Sequence, residues 1–457
     1  MPIKPYGSNK HYGSNKTFAL FLFFMFFVTF SLFAQANIDK MRDTIHYGTD
    51  SEITALLKTL KTDKNKELDD DLIKLAKDSS NDLIVNGLFT YFTDSETSGL
   101  EDKALELLQN REDENTTIIL AAIDYLGSVK EKKSKDVLLD IISKGEDALL
   151  KNAVRSLGKI SNLLEGGSAD QTAEYLIEFY KDKSPKEDES REIILAIGNT
   201  GSKKASEFLM DIITNADESA YLKTSALQAA AKIKDPSALD TVLTAAKSTE
   251  AGVRSAAVEA LGSFEGNKAE EAIIDAFRDS FFRSRLAAVK AAGTLKLSGA
   301  IPYLRYRALN DDAASVREES IKVLSEIGTS EANNVLLSIL DDKQINDKTR
   351  VLCANALLKT DASKYCDHIV EMLDESKQKK FNALYAGLLK ALASAKTPKL
   401  QDLTARLYNS KDVTDNAIAL DITANNDFKS FKDQVEKISE TKNSTLSAKA
   451  AKILKDL

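Results

Sequence analysis

The chain of 457 residues carries 62 basic and 70 acidic side chains, a formal net charge of −8, and no Trp. A hydrophobic share of 43% beside 29% charged residues excludes a disordered chain. The acidic balance weighs against sequence-independent nucleic-acid binding, which sets Lys and Arg against phosphate, so no nucleic-acid partner is expected. With 19 Gly and 6 Pro among abundant Ala, Leu, Lys, Glu and Asp, the composition suits helices.

The first 36 residues read as a leader. Lys4, Lys10 and Lys16 form a basic start, Phe18 to Phe33 is an apolar run, and Ala34-Gln35-Ala36 is a small-x-small cleavage signal. This layout predicts a secretory signal peptide cut after Ala36, and export to the periplasm or cell envelope. The rival reading is a retained membrane anchor, for which a run of sixteen residues is short. Membrane contact is expected only through this leader or through a partner. Cleavage removes three Lys and no acid, which takes the charge from −8 to −11.

Residues 37–114 read as a divergent helical cap. Asp50 or Ser51 is the expected N-cap of the first clear helix, with Glu52 in its first turn. Further helices are expected over Leu68 to Asp78, Leu83 to Phe92 and Leu100 to Asn110. From Thr116 a repeat sharpens. Its clearest copy is Ala251 to Ser280, where Val253, Ala257, Ala260, Leu261 and Phe264 make one apolar stripe at helical spacing. Glu265-Gly266-Asn267 signals a turn, and Ala269, Ala272, Ile273, Ala276 and Phe277 make a second stripe. One such hairpin cannot bury both faces alone, so neighbours must stack on it.

A small or apolar residue closes each first helix: Gly127, Gly158, Gly198, Ala231, Gly262, Gly293, Ser325 and Leu358. The steps are 31 to 33 residues, with one of 40 where the Gly-rich loop Leu164 to Ala169 is inserted. Repeats are expected over 115–410 and a C-terminal cap over 411–457 that ends in a helix from Ala448 to Leu457. The predicted fold is all-α, a solenoid of about eleven helical hairpins.

A basic residue recurs eight positions before the closing residue, as Lys223, Arg254, Arg285, Arg317 and Arg350. Asp217, Asp279, Asp311 and Asp347 precede these positions in the turns. Because the spacing tracks the repeat, we read a structural ladder in which each cation meets the acid of its own or the next turn.

Val253-Arg254, Ala257 and Ala260-Leu261-Gly262 resemble the repeat of HEAT proteins, in the short-unit, bilin-lyase-type class; Val316-Arg317 with Leu324 and Ala153 to Gly158 match more loosely. The resemblance runs from about Leu149 to Leu389. It implies a right-handed α-α superhelix whose second helices line a concave groove, and it implies protein-protein binding as the commonest role. Fold alone does not decide function.

Chemistry is thin. The metal hydroxylases with HEAT-like repeats need paired His-Glu motifs. Here the histidines are His11 in the leader, His46 and His368, too few and too scattered for such a centre. No P-loop, Gly-x-Ser-x-Gly or dinucleotide fingerprint occurs. No catalytic residue, cofactor or metal is expected. Cys353 occupies the slot of Ala257, and Cys366 opens the following second helix; the sequence leaves open whether they are bridged.

One stretch departs from the acidic background. Between Phe277 and Asn310 lie Arg278, Arg283, Arg285, Lys290, Lys296, Arg305 and Arg307 against the single acid Asp279. Arg and aromatic side chains are enriched at binding hot spots. Arg278, Phe281, Phe282, Arg283, Tyr303, Arg305, Tyr306 and Arg307 are therefore the candidate partner-binding residues, facing a protein with an acidic surface. Leu304 is expected to point to the core, with Arg305 and Arg307 at the surface. The expected function is a non-enzymatic interaction scaffold of the bacterial cell envelope, binding a protein through the concave face. The alternatives are an enzyme or ligand-carrier subunit without a recognisable motif, and a structural spacer of a membrane-associated complex.

Overall fold

The computed structural model describes residues 37–63, 66–164, 167–441 and 443–457. The leader, with its cleavage residues Ala34 and Ala36, lies outside the described residues, as does part of the inserted Gly-rich loop. Among the described residues there is no strand, and the chain divides into two compact units that meet in sequence at Ala205 and Ser206.

In the N-terminal unit, first and second helices alternate. The first helices are Asp50–Asp63, Asp82–Ser95, Thr116–Ser128, Asp147–Ser161 and Glu187–Thr200; Asp69–Asp78, Glu101–Gln109, Lys135–Lys144 and Ser168–Lys183 are the second helices. Local chemistry sets the helix starts. Thr49, rather than Asp50 or Ser51, caps the first of them. The Thr49 backbone N–H and hydroxyl both donate to the Glu52 carboxylate, at 2.7 and 2.9 Å, and Glu52 N–H points back at the hydroxyl. This reciprocal box needs its acid three residues on, which Glu52 supplies to Thr49 and not to Ser51. Asn81 and Asn115 cap the next two first helices through their side-chain oxygens.

Successive first helices pack side by side at the closing glycines. A Cβ on Gly127 would lie 2.4 Å from Ser156 Oγ and 2.9 Å from Ser156 Cα, and one on Gly158 would lie 2.9 Å from Ala196 Cα and Cβ. Each of these two glycines thus meets the residue two places before the next closing residue. Only hydrogen fits there without moving a backbone. Gly158→Ala should cost about 1–3 kcal/mol by overpacking. Gly252, with nothing within 4 Å of its added Cβ, is the control. Gly252→Ala should stabilise by about 0.4–1 kcal/mol, because alanine has less backbone freedom to lose. Denaturant midpoints of the two variants should move in opposite directions.

The C-terminal unit continues the pattern. Its first helices include Ala220–Ile233, Ala251–Leu261, Phe282–Thr294, Ala314–Ile327, Asn382–Ala393 and Val413–Asn426. Second helices include Leu239–Ala245, Asn267–Ala276, Ile301–Asn310, Ser330–Asp341, Gln401–Tyr408 and Lys432–Ser439. The stripe Val253, Ala257, Ala260, Leu261 and Phe264 is buried throughout, as are Ala269, Ile273 and Phe277 of the partner helix. Ala272 and Ala276 are only half-buried and edge a surface cleft. The turn forms at Gly266, whose φ of +112° favours glycine. The same close approach recurs, with Gly262 against Ala291 and Gly293 against Val323.

One hairpin lacks a conventional turn. Helix runs from Asp347 to Gln378 except at Asp361, where φ −155° and ψ 90° break it into a first and a second half. Asp361 Oδ1 then accepts the Lys364 N–H and starts the second half. Cys353 and Cys366 lie on opposite sides of this break, both buried as free thiols. Burial pushes the Cys353 thiol up to about 12 and the Cys366 thiol up to about 11, which keeps both unreactive. The terminal helix is Ser444–Asp456, four residues earlier at its start than the sequence suggests, because Asn443 accepts the Leu446 N–H as its cap. Its Leu446, Ala450, Ile453 and Leu454 close a core with Leu420, Val435 and Ile438.

Candidate functional site

The ladder comes first, because it fixes the turn from which the candidate patch projects. Arg254 donates to both oxygens of Asp279, at 2.8 and 3.0 Å, and to the carbonyls of Ser248 and Thr249. Arg285 repeats this one hairpin later, reaching both oxygens of Asp311 at 2.7 and 2.8 Å and the carbonyls of Asp279 and Ser280. It also touches Asp312. Each Arg therefore ties the turn before it to the turn after it. The Arg254 guanidinium holds the Asp279 carboxyl below the usual carboxylate range, against the upward push of burial. Burial alone would raise Asp311, but hydrogen bonds from Arg285 and from the Ala313 N–H outweigh it and hold that carboxyl low as well.

Elsewhere the ladder varies: Lys223 and Arg350 each lie near an acid of the next or their own turn, and Arg317 does not. Lys223 pairs at 3.7 Å with Glu250, and no ion pair joins it to Asp217. Arg317 keeps the carbonyl half of the motif, to Asp311 and Asp312, without a carboxylate. Asp342 stands at the equivalent place in the next turn, where its Oδ1 accepts the Gln344 N–H at 2.9 Å, but no ion pair joins it to Arg317. Arg350 is buried; it donates to the Leu340 carbonyl at 2.8 Å and lies 3.8 Å from Asp347. Its preceding turn is longer, so the carbonyl it reaches is ten residues back instead of five or six. The shared role of the Arg positions is to cap turn carbonyls; the carboxylate partner is an addition at 254 and 285. A related tie in the N-terminal unit was not legible from the repeat. Arg111, in a turn and outside the first-helix register, binds Glu146 at 2.7 and 2.9 Å, Asp140 at 2.5 Å and the Leu108 carbonyl.

The candidate patch resolves into two groups. In the first, Arg278 donates to the Tyr303 hydroxyl at 3.2 Å and lies over the Tyr303 ring, 5.3 Å from its centre. Phe277 supports that ring from the core, with centroids 5.7 Å apart. Arg307 lies over the Tyr306 ring at 5.3 Å. Arg278, Pro302, Tyr303, Tyr306 and Arg307 line one open cleft. Positions 303, 306 and 307 share a face of their helix because they are three and four residues apart. Leu304 is fully buried, as the sequence indicates. Pro302 and Phe277 belong to the arrangement although sequence reasoning did not select them; a proline at the start of a helix reads as structural punctuation.

The second group is Phe281, Phe282 and Arg283 at the start of the next first helix. The two rings meet edge to face at 5.6 Å, and Arg283 covers both at 5.9 and 5.8 Å. Arg305 is exposed and lines neither that stack nor the cleft. Arg307 is less open than the sequence suggests. Its side chain is 18% accessible and donates to Asp311 at 3.3 Å, so it also belongs to the ladder. A change to Glu there would set a carboxylate beside a buried one.

The two histidines pair with acids across hairpins, His46 with Asp71 at 3.2 Å and His368 with Asp341 at 2.7 Å. Among the described residues no cluster of His, Cys, Asp and Glu could hold a metal ion, and no helix is long and apolar enough to cross a membrane.

Comparison with known proteins places this geometry. No curated protein matches the sequence. Among solved structures, a chain of the Kap95:Nup1 complex is similar at 12% identity and a TM-score of 0.51, over 90% of this chain and 66% of that one. Kap121p is similar at 12% identity and a TM-score of 0.42, over 90% of this chain and 52% of its own length, so the present chain spans about half of it. Human deoxyhypusine hydroxylase shows 15% identity and a TM-score of 0.23, over 52% of this chain and 99% of that enzyme. At these identities the Kap95 likeness supports an all-α HEAT-type repeat fold and nothing about ligands. The model of the spirochaete HEAT repeat protein family matches residues 45–453, nearly the whole of the described chain. The chain belongs to the spirochaete HEAT repeat protein family.

Proposed function

We propose that the chain is a non-enzymatic docking scaffold of the cell envelope, which holds a protein partner on the second-helix face of its C-terminal unit. The observation that carries this reading is the cleft around Tyr303 and Tyr306. Large amphipathic side chains stand there on a rigid helix, with two guanidiniums held over their rings. Such preorganised aromatic and Arg groups lose little freedom on binding. The Kap95:Nup1 complex supports the role by analogy only, as a HEAT-like solenoid in a protein complex. The envelope part of the proposal rests on the leader.

Two measurements test it. Protein recovered from the envelope fraction should begin at Asn37 on N-terminal sequencing; full-length protein confined to the cytosol would refute export. Tyr306→Ala should leave the unfolding midpoint within about 0.5 kcal/mol of the parent, since the ring is exposed. The same change should sharply reduce partner recovery from envelope extract. Unchanged stability with unchanged recovery would remove this face from consideration.

A further inference from the structure

We propose that the cleft beside the helix Ile301–Asn310 seats an extended acidic segment of the partner, with alternate carboxylates on Arg278 and Arg307. This rests on the docking reading above and names the chemistry of the ligand.

Charge complementarity selects the ligand. The cleft is lined by Arg278, Pro302, Tyr303, Tyr306 and Arg307, two cations and no acid. The adjoining cleft, on the other side of Arg278, offers Lys247 and Lys268 but lines itself with Glu271, Asp275 and Asp279. Lys268 is further paired with Asp240 at 3.0 Å. That second cleft is neutralised from within, whereas the first presents positive charge on a protein that is acidic overall.

Donor accounting points the same way. A guanidinium has five N–H donors. Arg278 gives one to the Tyr303 hydroxyl, and its nearest carboxylate, Asp275, is 3.7 Å away. Arg307 gives one to Asp311 at 3.3 Å. Donors remain on both, and the tyrosine rings hold both guanidiniums in place. Held in this way, an Arg suits paired hydrogen bonds to a carboxylate.

The form of the ligand follows from the floor. A helix has no free backbone edge, so a peptide cannot add here as a β-strand. A segment with a β-extended backbone can lie across the two rings and Pro302. Tyrosines three apart on a helix are roughly 5–6 Å from one another. Alternate side chains of an extended chain lie on one side at roughly 6–7 Å. The match is to a segment with an acid at every second residue.

The test uses the full chain and a fluorescein-labelled peptide alternating Glu and Thr, which favours an extended backbone, with Gln-Thr and Lys-Thr versions as controls. Fluorescence polarisation should show binding of the Glu-Thr peptide alone, weakening as salt rises. Arg278→Gln and Arg307→Gln should each reduce affinity about tenfold, in line with a charge-assisted hydrogen bond. Arg305→Gln should leave affinity unchanged. Should Arg307→Gln unfold the helix through Asp311, Tyr306→Ala serves in its place. Equal loss in Arg305→Gln, equal binding of the Gln-Thr peptide, or no binding of Glu-Thr would overturn the proposal. A photo-crosslinking residue at position 306 separates the two readings. A discrete adduct in envelope extract without Glu-Thr binding leaves docking standing and removes the acidic segment; absence of both removes both.

Discussion

Asp311→Ala is expected to destabilise the C-terminal unit by about 3–5 kcal/mol, the usual cost of leaving a buried charge without its partner. The Asp311 side chain is fully inaccessible and that of Arg285 is 6% accessible. With Asp311 gone, Arg285 retains the carbonyls of Asp279 and Ser280 and the contact to Asp312, whose carboxylate is 84% accessible and compensates weakly. Asp279→Ala should cost less, because Arg254 is 19% accessible and can recruit water. Replacing both partners, as Arg285→Met with Asp311→Leu, should recover only part of the loss. The two turn carbonyls remain without their side-chain donor, and the Ala313 N–H keeps only the exposed Asp312 carboxylate. Hydrogen exchange of the helices Phe282–Thr294 and Ala314–Ile327 measures this locally, which matters in a repeat array where unfolding need not be all-or-none. A loss below about 1 kcal/mol would contradict the burial of the pair. The same pair sets an acid limb. Asp279 and Asp311 are held below their ordinary value, so their contribution is complete above about pH 4, the unfolded carboxyl value, and is lost as pH falls through the folded value. Stability should fall steeply below pH 4, less so in Asp311→Asn, whose reference stability is already reduced.

Leu304→Ala should cost about 2–5 kcal/mol, since the side chain is fully buried and its removal leaves a cavity. This residue lies between Tyr303 and Arg305, so the contrast with its neighbours is informative. Core and cleft-lining positions alternate within five residues of this helix. Leu304→Ala should lower the unfolding midpoint, and any loss of binding should be recovered on cooling or with a stabilising second change such as Gly252→Ala. Tyr306→Ala should lose binding without a matching loss of stability. If Leu304→Ala left the midpoint unchanged, the assignment of faces on this helix would be wrong.

The helical hairpins were legible because burial imposes a period on them. Gly127, Gly158, Gly262 and Gly293 align in the sequence alone, and at each a Cβ would come within 2.4–3.1 Å of the neighbouring first helix. The paired turns at Arg254 and Arg285 were legible for the same reason. What failed was anything set by the length of a turn. Arg350 bonds to a carbonyl ten residues back because its preceding loop is longer, and Arg317 keeps only its turn carbonyls although Asp342 follows at the expected place. Arg111 was invisible because it stands in a turn. The candidate patch was legible as composition, a run of Arg and aromatics, but not as geometry. Nothing in the sequence separates Phe281, Phe282 and Arg283 from Arg278 and Tyr303, or shows that Arg307 shares Asp311 with Arg285.

The contact rule between first helices bears on how such a chain lengthens. Gly127, Gly158, Gly262 and Gly293 each meet the position two before the next closing residue, and the Arg254 and Arg285 ties span 25 and 26 residues within the same step. A recombination event that joins two copies in register duplicates a whole hairpin together with both of its junctions, so the longer product inherits a finished interface. An exchange out of register sets an unmatched side chain against a closing glycine and strands an Arg away from its turn. Growth and loss are thereby restricted to complete steps, and the coding sequence can gain or shed them without relearning how neighbours fit.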